Sequence, residues 1–240
     1  MLEFGGFRGT PVSAVTERIE QVNATIAAAC ARAGRSATMV QLVAVSKTQT
    51  TEAIQQAYAA GLRVFGENRV QEAQAKVSTL PADIDWHLVG HLQSNKANVA
   101  SQIFSTIHSV DSVRLGQRLA ARAVTVGHPI RVLLQVSLTA KASQSGFAAD
   151  DLPQAVAALV TEEGLALDGL MMIAPQGSDP EEARPWFRRL AALHGELASA
   201  AGSHPWRHLS MGMTEDYAVA IEEGATLVRV GRAIFGERPT

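Results

Sequence analysis

The sequence predicts a (β/α)8 barrel of the TIM type, preceded by one additional helix. Eight short runs of strand-type residues alternate with helical segments, and this alternation is typical of a parallel sheet. The length of 240 residues matches the size of one such barrel. No linker and no change of composition divides the chain. We therefore expect residues 1–240 to form a single domain, with residues 1–11 as a loose N-terminal tail.

The strands are predicted from apolar runs that end in polar or glycine-containing stretches. The fifth run is almost entirely apolar, as is typical of a strand buried on both faces. Within the sixth run we expect Asp168, just before Gly169, to occupy a turn. The eight predicted strands are 41–46, 62–65, 86–89, 104–110, 130–136, 167–173, 208–211 and 226–230.

The helices are predicted from apolar residues at three- and four-residue steps and from residues that cap helix ends. The first helix can begin at Ser13 and end at Gly34. In the longest of the later helices, the residues expected on the inner face are Trp186, Leu190, Leu193 and Leu197. The predicted helices are 13–34, 51–60, 69–77, a short one ending at 101, one capped by Asp111 or Ser112 and running to about 124, and then 150–163, 180–201 and 214–223.

A doubly wound open sheet is the alternative fold for such a pattern. Its dinucleotide-binding members carry a Gly-x-Gly-x-x-Gly turn after a strand. No strand of this sequence is followed by that motif, so the barrel is the preferred interpretation.

Composition and charge exclude several classes of function. A formal net charge of -2 gives no field that would attract nucleic acid or an anionic membrane. The single cysteine, Cys30, cannot form an intramolecular disulfide. No apolar run is long enough to span a bilayer, and the N-terminus does not resemble a signal peptide. We expect a soluble, cytoplasmic protein that binds neither nucleic acid nor membrane.

Lys47 is the first candidate functional residue, because it ends the first predicted strand. Functional groups of a barrel gather at the C-terminal ends of its strands. An apolar environment favours the neutral amine of lysine, which is the form that attacks carbonyl groups. Lys47 is therefore a candidate for Schiff-base formation. A lysine that only reaches solvent is the alternative, and position alone favours it.

The turns after the seventh and eighth strands are candidates for a phosphate site. They contain Ser210 and Gly212 in the first turn, and Arg229, Gly231 and Arg232 in the second. Barrels often bind phosphate at this place, and glycine lets backbone amides approach an anion closely. A cofactor with both an aldehyde and a phosphate, pyridoxal phosphate (PLP), would suit the lysine and these turns. Ordinary turns, and an Arg229 paired with a carboxylate such as Glu67, are the alternatives.

His87 and His91 have a spacing that can place two metal ligands on one face of a helix. Here the segment is predicted to pass from strand into loop, and four extended residues span about 13 Å. One ion could not bind both side chains, and no cluster of cysteines or carboxylates lies nearby in the sequence. We expect no metal site.

Seven segments together resemble the YggS/PROSC-type PLP homeostasis proteins, in the same order along the chain. The resemblance implies a modified TIM barrel similar to the N-terminal domain of alanine racemase, which binds PLP without that enzyme's second domain. The segments are AVSKT (44–48), FGENRVQE (65–72), HLVGHLQSNK (87–96), IHSVDS (107–112), GLMMIAP (169–175), LSMGMTEDYAVAI (209–221) and GATLVRVGRAIFG (224–236).

The resemblance also assigns roles to single residues. It implies that Lys47 is the Schiff-base lysine and that Arg229 faces the pyridine nitrogen. It further implies that Asn68 lines the pocket. The residues whose turns it implies to contact the phosphate are Ser210, Gly212, Gly231 and Arg232. The chain departs from the family pattern at Gln49-Thr50, where relatives often have Lys-Pro, and at Gln144, where they often have lysine. Lys141 is no assured replacement for the latter.

The expected function is a carrier of PLP rather than a catalyst. An arginine can only donate hydrogen bonds, so the pyridine nitrogen opposite Arg229 would stay unprotonated and would be a poorer electron sink. We expect no catalytic residues, a monomer, and PLP-dependent apo-enzymes as partners. The alternatives are a PLP-dependent amino-acid racemase and a cofactor-free barrel enzyme that uses Lys47 in the manner of an aldolase.

Overall fold

Eight parallel strands form a closed barrel in a computed structural model, and each strand pairs with its neighbours in chain order. The structure describes residues 14–139, 145–175, 177 and 179–236. The strands are β1 Gln41–Val45, β2 Val64–Glu67, β3 Asp85–Leu88, β4 Thr106–Val110, β5 Ile130–Gln135, β6 Leu165–Met171, β7 His208–Ser210 and β8 Leu227–Val230.

The pairing of the last strand with the first closes the barrel. Val43 of β1 lies beside Arg229 of β8, in a parallel register that continues to Ala44 and Val230. An open sheet has two edge strands that pair on one side only, whereas each of the eight strands here pairs on both sides, so the doubly wound alternative is excluded. The predicted barrel with its additional N-terminal helix is confirmed.

Helices surround the barrel, and most of them begin and end within a few residues of the predicted positions. They are α1 Ala14–Arg32, α2 Thr51–Ala59, α3 Val70–Lys76, α4 Ala97–Ile103, α5 Val113–Val126, α6 Leu152–Leu159, α7 Arg184–Leu197, α8 Tyr217–Glu222 and α9 Arg232–Phe235. The additional helix α1 packs against α8 and α9. The predicted N-terminal tail, the predicted cap at Ser13, and the residues Lys141 and Gln144 lie outside the described residues.

Two layers of apolar side chains stabilise the fold. The larger one fills the space between the strands and the helices, and a smaller cluster occupies the inside of the barrel. The inner cluster is formed by Val43, Val89, Leu133, Met171 and Leu227, with Val45 and Val64 packed against it. Side chains alternate between the two faces of a strand. Arg229, two residues after Leu227, therefore also points into the barrel.

Two details of the packing differ from the prediction. Phe187 is fully buried on α7, whereas Trp186 is only partly buried. A 3-10 turn at Pro180–Ala183 precedes α7, so the predicted helix begins later. Which of two adjacent aromatic residues faces the barrel depends on how the helix docks, and the periodicity of the sequence fits both.

Asp168 is not a turn residue, contrary to the prediction. It lies within β6, is fully buried, and forms a two-pronged ion pair with Arg207 at 3.0 and 2.7 Å. Gly169 has a φ of +132°, and a Cβ atom there would lie 1.9 Å from the carbonyl oxygen of His208. The glycine therefore reflects close contact between two strands.

Candidate cofactor-binding site

A cavity of about 980 Å³ opens at the C-terminal end of the barrel. Loops after β1, β2, β6, β7 and β8 contribute to its wall. Five of the seven residues predicted for the site line this cavity together, namely Lys47, Asn68, Arg229, Gly231 and Arg232. The structure thus brings together residues that lie up to 185 positions apart in the chain.

Lys47 follows β1 directly and is partly buried at the wall of the cavity. The backbone on both sides of it is held in place. The Ser46 amide donates to the carbonyl of Gly66 at 2.9 Å. Thr48 adopts a left-handed conformation with a φ of +62°, which is uncommon for a β-branched residue and occurs often at functional sites. The chain therefore presents the lysine from a constrained turn.

A buried cluster of charges lies behind this turn. The Nζ atom of Lys76 donates to the Oε1 atom of Glu67 at 2.8 Å and to the carbonyl of Ser46 at 3.0 Å. The Ser46 hydroxyl also donates to Glu67, at 2.8 Å. Burial raises the pKa of the Glu67 carboxyl, and the hydrogen bonds from Lys76 and Ser46 oppose this shift. Glu67 thus pairs with Lys76, and it is not the partner of Arg229.

Arg229 is buried inside the barrel and is 5% exposed. Its Nη1 atom donates to the Oγ atom of Ser210 at 2.6 Å, and its Nη2 atom donates to the carbonyl of Met172 at 2.8 Å. Burial lowers its pKa to about 10, and the charge of Asp216 opposes this shift. Arg229 is therefore a cation at neutral pH, and both of these hydrogen-bond acceptors are neutral groups.

Ser210 and Gly212 do not line the cavity but shape it from behind. The Ser210 side chain is fully buried, and its hydroxyl contacts Arg229 and the Nδ1 atom of His108. The carbonyl of Gly212 accepts a hydrogen bond from the Arg229 amide at 3.0 Å. A phosphate contact with the Ser210 hydroxyl stays a prediction, and the described bonds point that hydroxyl into the barrel.

The turn after β8 comes close to the turn that carries Lys47. A Cβ atom on Gly231 would lie 3.1 Å from the carbonyl oxygen of Val45, so a larger residue would force the two turns apart. The side chain of Arg232 pairs with Glu215 at 2.8 Å on the exposed rim of the cavity. The predicted contribution of this turn to the site is through its backbone.

Sequence reasoning missed several residues of the site. Met213 and Asp216 both line the cavity, although neither was predicted as a site residue. Asp216 accepts a hydrogen bond from the Met213 amide at 2.6 Å, and burial raises the pKa of its carboxyl. A carboxylate placed shortly after the seventh strand was the signal available in the sequence.

The two histidines considered as metal ligands have different partners. His87 bonds to His108 inside the barrel at 2.9 Å, whereas His91 pairs with Asp111 at 3.1 Å. Across the part of the chain that the structure describes, no three histidine, cysteine or acidic side chains are arranged to hold a metal ion. Within the same residues, no helix is both long and apolar enough to cross a membrane.

Residues 20–239 match the family model described as "Alanine racemase, N-terminal domain". The closed barrel and its lysine-bearing cavity thus define a protein of the alanine racemase N-terminal-domain class. A Pseudomonas aeruginosa protein named "Pyridoxal phosphate homeostasis protein" is 41% identical, over 95% of this chain and 97% of its own length. A second protein of that name, from Aquifex aeolicus, is 39% identical over 92% of this chain and 97% of its own. The chain belongs to the family of pyridoxal phosphate homeostasis proteins.

Solved structures agree with this assignment. PipY from Synechococcus elongatus, solved without PLP, superimposes with a TM-score of 0.84 at 40% identity, covering 92% of this chain and all of that one. The structure of PipY with PLP bound superimposes with a TM-score of 0.81, at the same identity and with the same coverage.

Proposed function

We propose that this protein binds pyridoxal 5′-phosphate, holds it as a Schiff base on Lys47, and takes part in PLP homeostasis as a carrier. The observation that supports this most is the position of Lys47 and Arg229 on one cavity at the C-terminal end of the barrel. The names of the relatives and the PLP-bound PipY structure also support it.

The residues of the cavity fit the chemical groups of this cofactor. Lys47 supplies an amine for the aldehyde. The glycine-containing turn at Gly231 supplies backbone that a phosphate can approach. Arg229 supplies N–H donors for the pyridine nitrogen. The bound cofactor would contribute an electrophilic aldehyde and a ring that can withdraw electrons.

Arg229 favours binding over catalysis. Its guanidinium group keeps its proton at neutral pH and can only donate hydrogen bonds. A pyridine nitrogen opposite it must accept, so it stays unprotonated and the ring withdraws electrons less strongly. Chemistry that needs a stabilised carbanion is therefore disfavoured in this cavity.

Amino-acid racemisation is the second candidate, and it would need a second acid–base group beside the lysine. The two tyrosines of the chain are poorly placed for this role. The hydroxyl of Tyr58 donates to Asp83 at 2.7 Å outside the barrel, and the buried Tyr217 is not among the residues that line the cavity. A cofactor-free aldolase-like enzyme is the third candidate.

We also propose that the protein works as a cytoplasmic monomer that passes PLP to PLP-dependent apo-enzymes. A free aldehyde condenses with amines in general, which gives a chemical reason for carrying it bound. The single cysteine, Cys30, is buried and free, as is common for cytosolic proteins.

The absorption spectrum of the protein with PLP tests this proposal. We expect a visible band in the wild type that Lys47→Ala removes and that the control Lys96→Ala keeps, because Lys96 does not line the cavity. A wild type without a band would contradict PLP binding. Racemisation of amino acids that Lys47→Ala abolishes would favour the enzyme over the carrier.

A further inference from the structure

A continuous chain of hydrogen bonds crosses the inside of the barrel from Asp85, the first residue of β3, to Arg229 on β8. The Nε2 atom of His87 lies 3.4 Å from Oδ2 of Asp85, and its Nδ1 atom lies 2.9 Å from Nε2 of His108. The Nδ1 atom of His108 lies 2.8 Å from Oγ of Ser210. Ser210 then accepts from Arg229 at 2.6 Å.

The carboxylate end of this chain sets the direction of its hydrogen bonds. Burial opposes ionisation of Asp85, but hydrogen bonds from His87 and Ser105, and the charges of His87 and Arg131, lower its pKa to about 2. An ionised carboxylate can only accept. His87 must therefore donate from Nε2, and in its neutral form it then accepts at Nδ1.

The same reasoning applies to His108 and then to Ser210. Burial lowers the pKa of His108 well below its ordinary value, so the ring is neutral and carries one proton. That proton lies on Nε2, facing the acceptor nitrogen of His87, and Nδ1 is an acceptor. Ser210 then gives its only hydrogen to His108. With one proton on each imidazole ring, the reverse direction would bring a lone pair of His87 against the carboxylate of Asp85.

Ser210 consequently offers only lone pairs to Arg229. The guanidinium group is held at two nitrogens, by Ser210 and by the carbonyl of Met172. Two such bonds fix the plane of the group, while Arg229 also lines the cavity.

We propose that Asp85, His87 and His108 are positioning residues that act through Ser210 to orient Arg229 toward the cofactor. This inference rests on the proposed PLP function and deepens it. It gives Asp85, which lies at the N-terminal end of β3, a role in a cofactor site at the C-terminal end of the barrel. His108 and Ser210 are 102 positions apart in the chain, and neither lines the cavity.

The direction of the hydrogen bonds from Asp85 to Ser210 can be measured without any cofactor. Nitrogen-15 chemical shifts of the imidazole rings distinguish the two neutral tautomers. We expect the Nε2–H tautomer for both His87 and His108 in the cofactor-free protein, and a loss of that preference in Asp85→Ala. An Nδ1–H tautomer of His108 in the wild type would overturn the proposed direction.

The effect on the cofactor site is tested by PLP affinity. We expect His108→Phe to weaken binding about tenfold, because a hydrogen bond that supports a charged group is lost, and to shift the visible band of bound PLP. In the background of Arg229→Lys the same substitution should change affinity little, because interacting residues give non-additive effects. Additive losses would show that His108 does not act through Arg229.

His204→Gln is the matched control. His204 also has both ring nitrogens engaged, Nδ1 by the amide of Leu167 at 3.1 Å and Nε2 by the carbonyl of Val160 at 2.8 Å. It does not line the cavity, so the variant should keep wild-type PLP affinity even if its stability falls. A wild type that does not bind PLP would defeat the proposed function. If the wild type binds PLP through Lys47 but the effects of His108→Phe and Arg229→Lys on PLP affinity are additive, this inference alone is contradicted.

Discussion

Gly212 illustrates how a single residue that does not line the cavity can still shape the site. It lies between β7 and α8 with a φ of +87°, a conformation that residues with a Cβ atom avoid. An added Cβ atom would lie 2.6 Å from Cβ of Ala220 and 2.8 Å from Cα of Tyr217. Because its carbonyl also accepts from the Arg229 amide, this turn is coupled to the strand that carries the arginine.

We therefore expect Gly212→Ala to lower the free energy of unfolding by about 3 kcal/mol, from backbone strain and overpacking together. The matched control is Gly127→Ala at the end of α5. Gly127 has a similar φ of +83° but no atom within 4 Å of an added Cβ, so only the strain of about 1 kcal/mol applies. Urea denaturation measures both values. Equal losses would contradict the close contact at Gly212.

At the scale of elements, α3 is tied to the barrel by its last residue. Lys76 reaches back to the end of β1 and pairs with Glu67, which is fully buried on β2. Removing one partner of a buried ion pair leaves the other charge without compensation. The pair therefore holds a helix, two strands and the turn of Lys47 in one arrangement.

Replacing Lys76 with methionine should accordingly cost about 3 kcal/mol of stability at neutral pH. Arg189→Met on α7 removes a comparable pair with Glu196, but those side chains are 49% and 57% exposed. An exposed pair contributes less than about 1 kcal/mol. Chemical denaturation measures the loss of unfolding free energy in each of the two variants. A Lys76→Met variant as stable as Arg189→Met would show that the buried pair does not hold α3.

Elements were predictable from the sequence where the local pattern determines them. Apolar runs and capping residues were sufficient to predict the eight strands and α1. The end of α6 at Leu159 and the four-residue helix α9 were not predicted, because short helices have little periodicity. The choice of Phe187 over Trp186 depends on docking against the barrel, which is tertiary information.

At the scale of the whole molecule, closure of the barrel brings distant residues to one cavity. The sequence predicted that Lys47 and Arg229 would meet, because strand ends converge in this fold. It did not predict the bonds among His87, His108 and Ser210. Those bonds depend on which side chains face inward, and register shifts in β4 and β6 interrupt the simple alternation.

The central claim is that Lys47 holds PLP, and reduction with borohydride followed by peptide mass mapping tests it most directly. Borohydride makes a Schiff base permanent, so the modified lysine keeps its mass label through digestion. The chain has four lysines, Lys47, Lys76, Lys96 and Lys141, so each site can be distinguished. We predict a phosphopyridoxyl group on Lys47, absent from Lys47→Ala. An adduct only on another lysine, or none at all, would contradict the account.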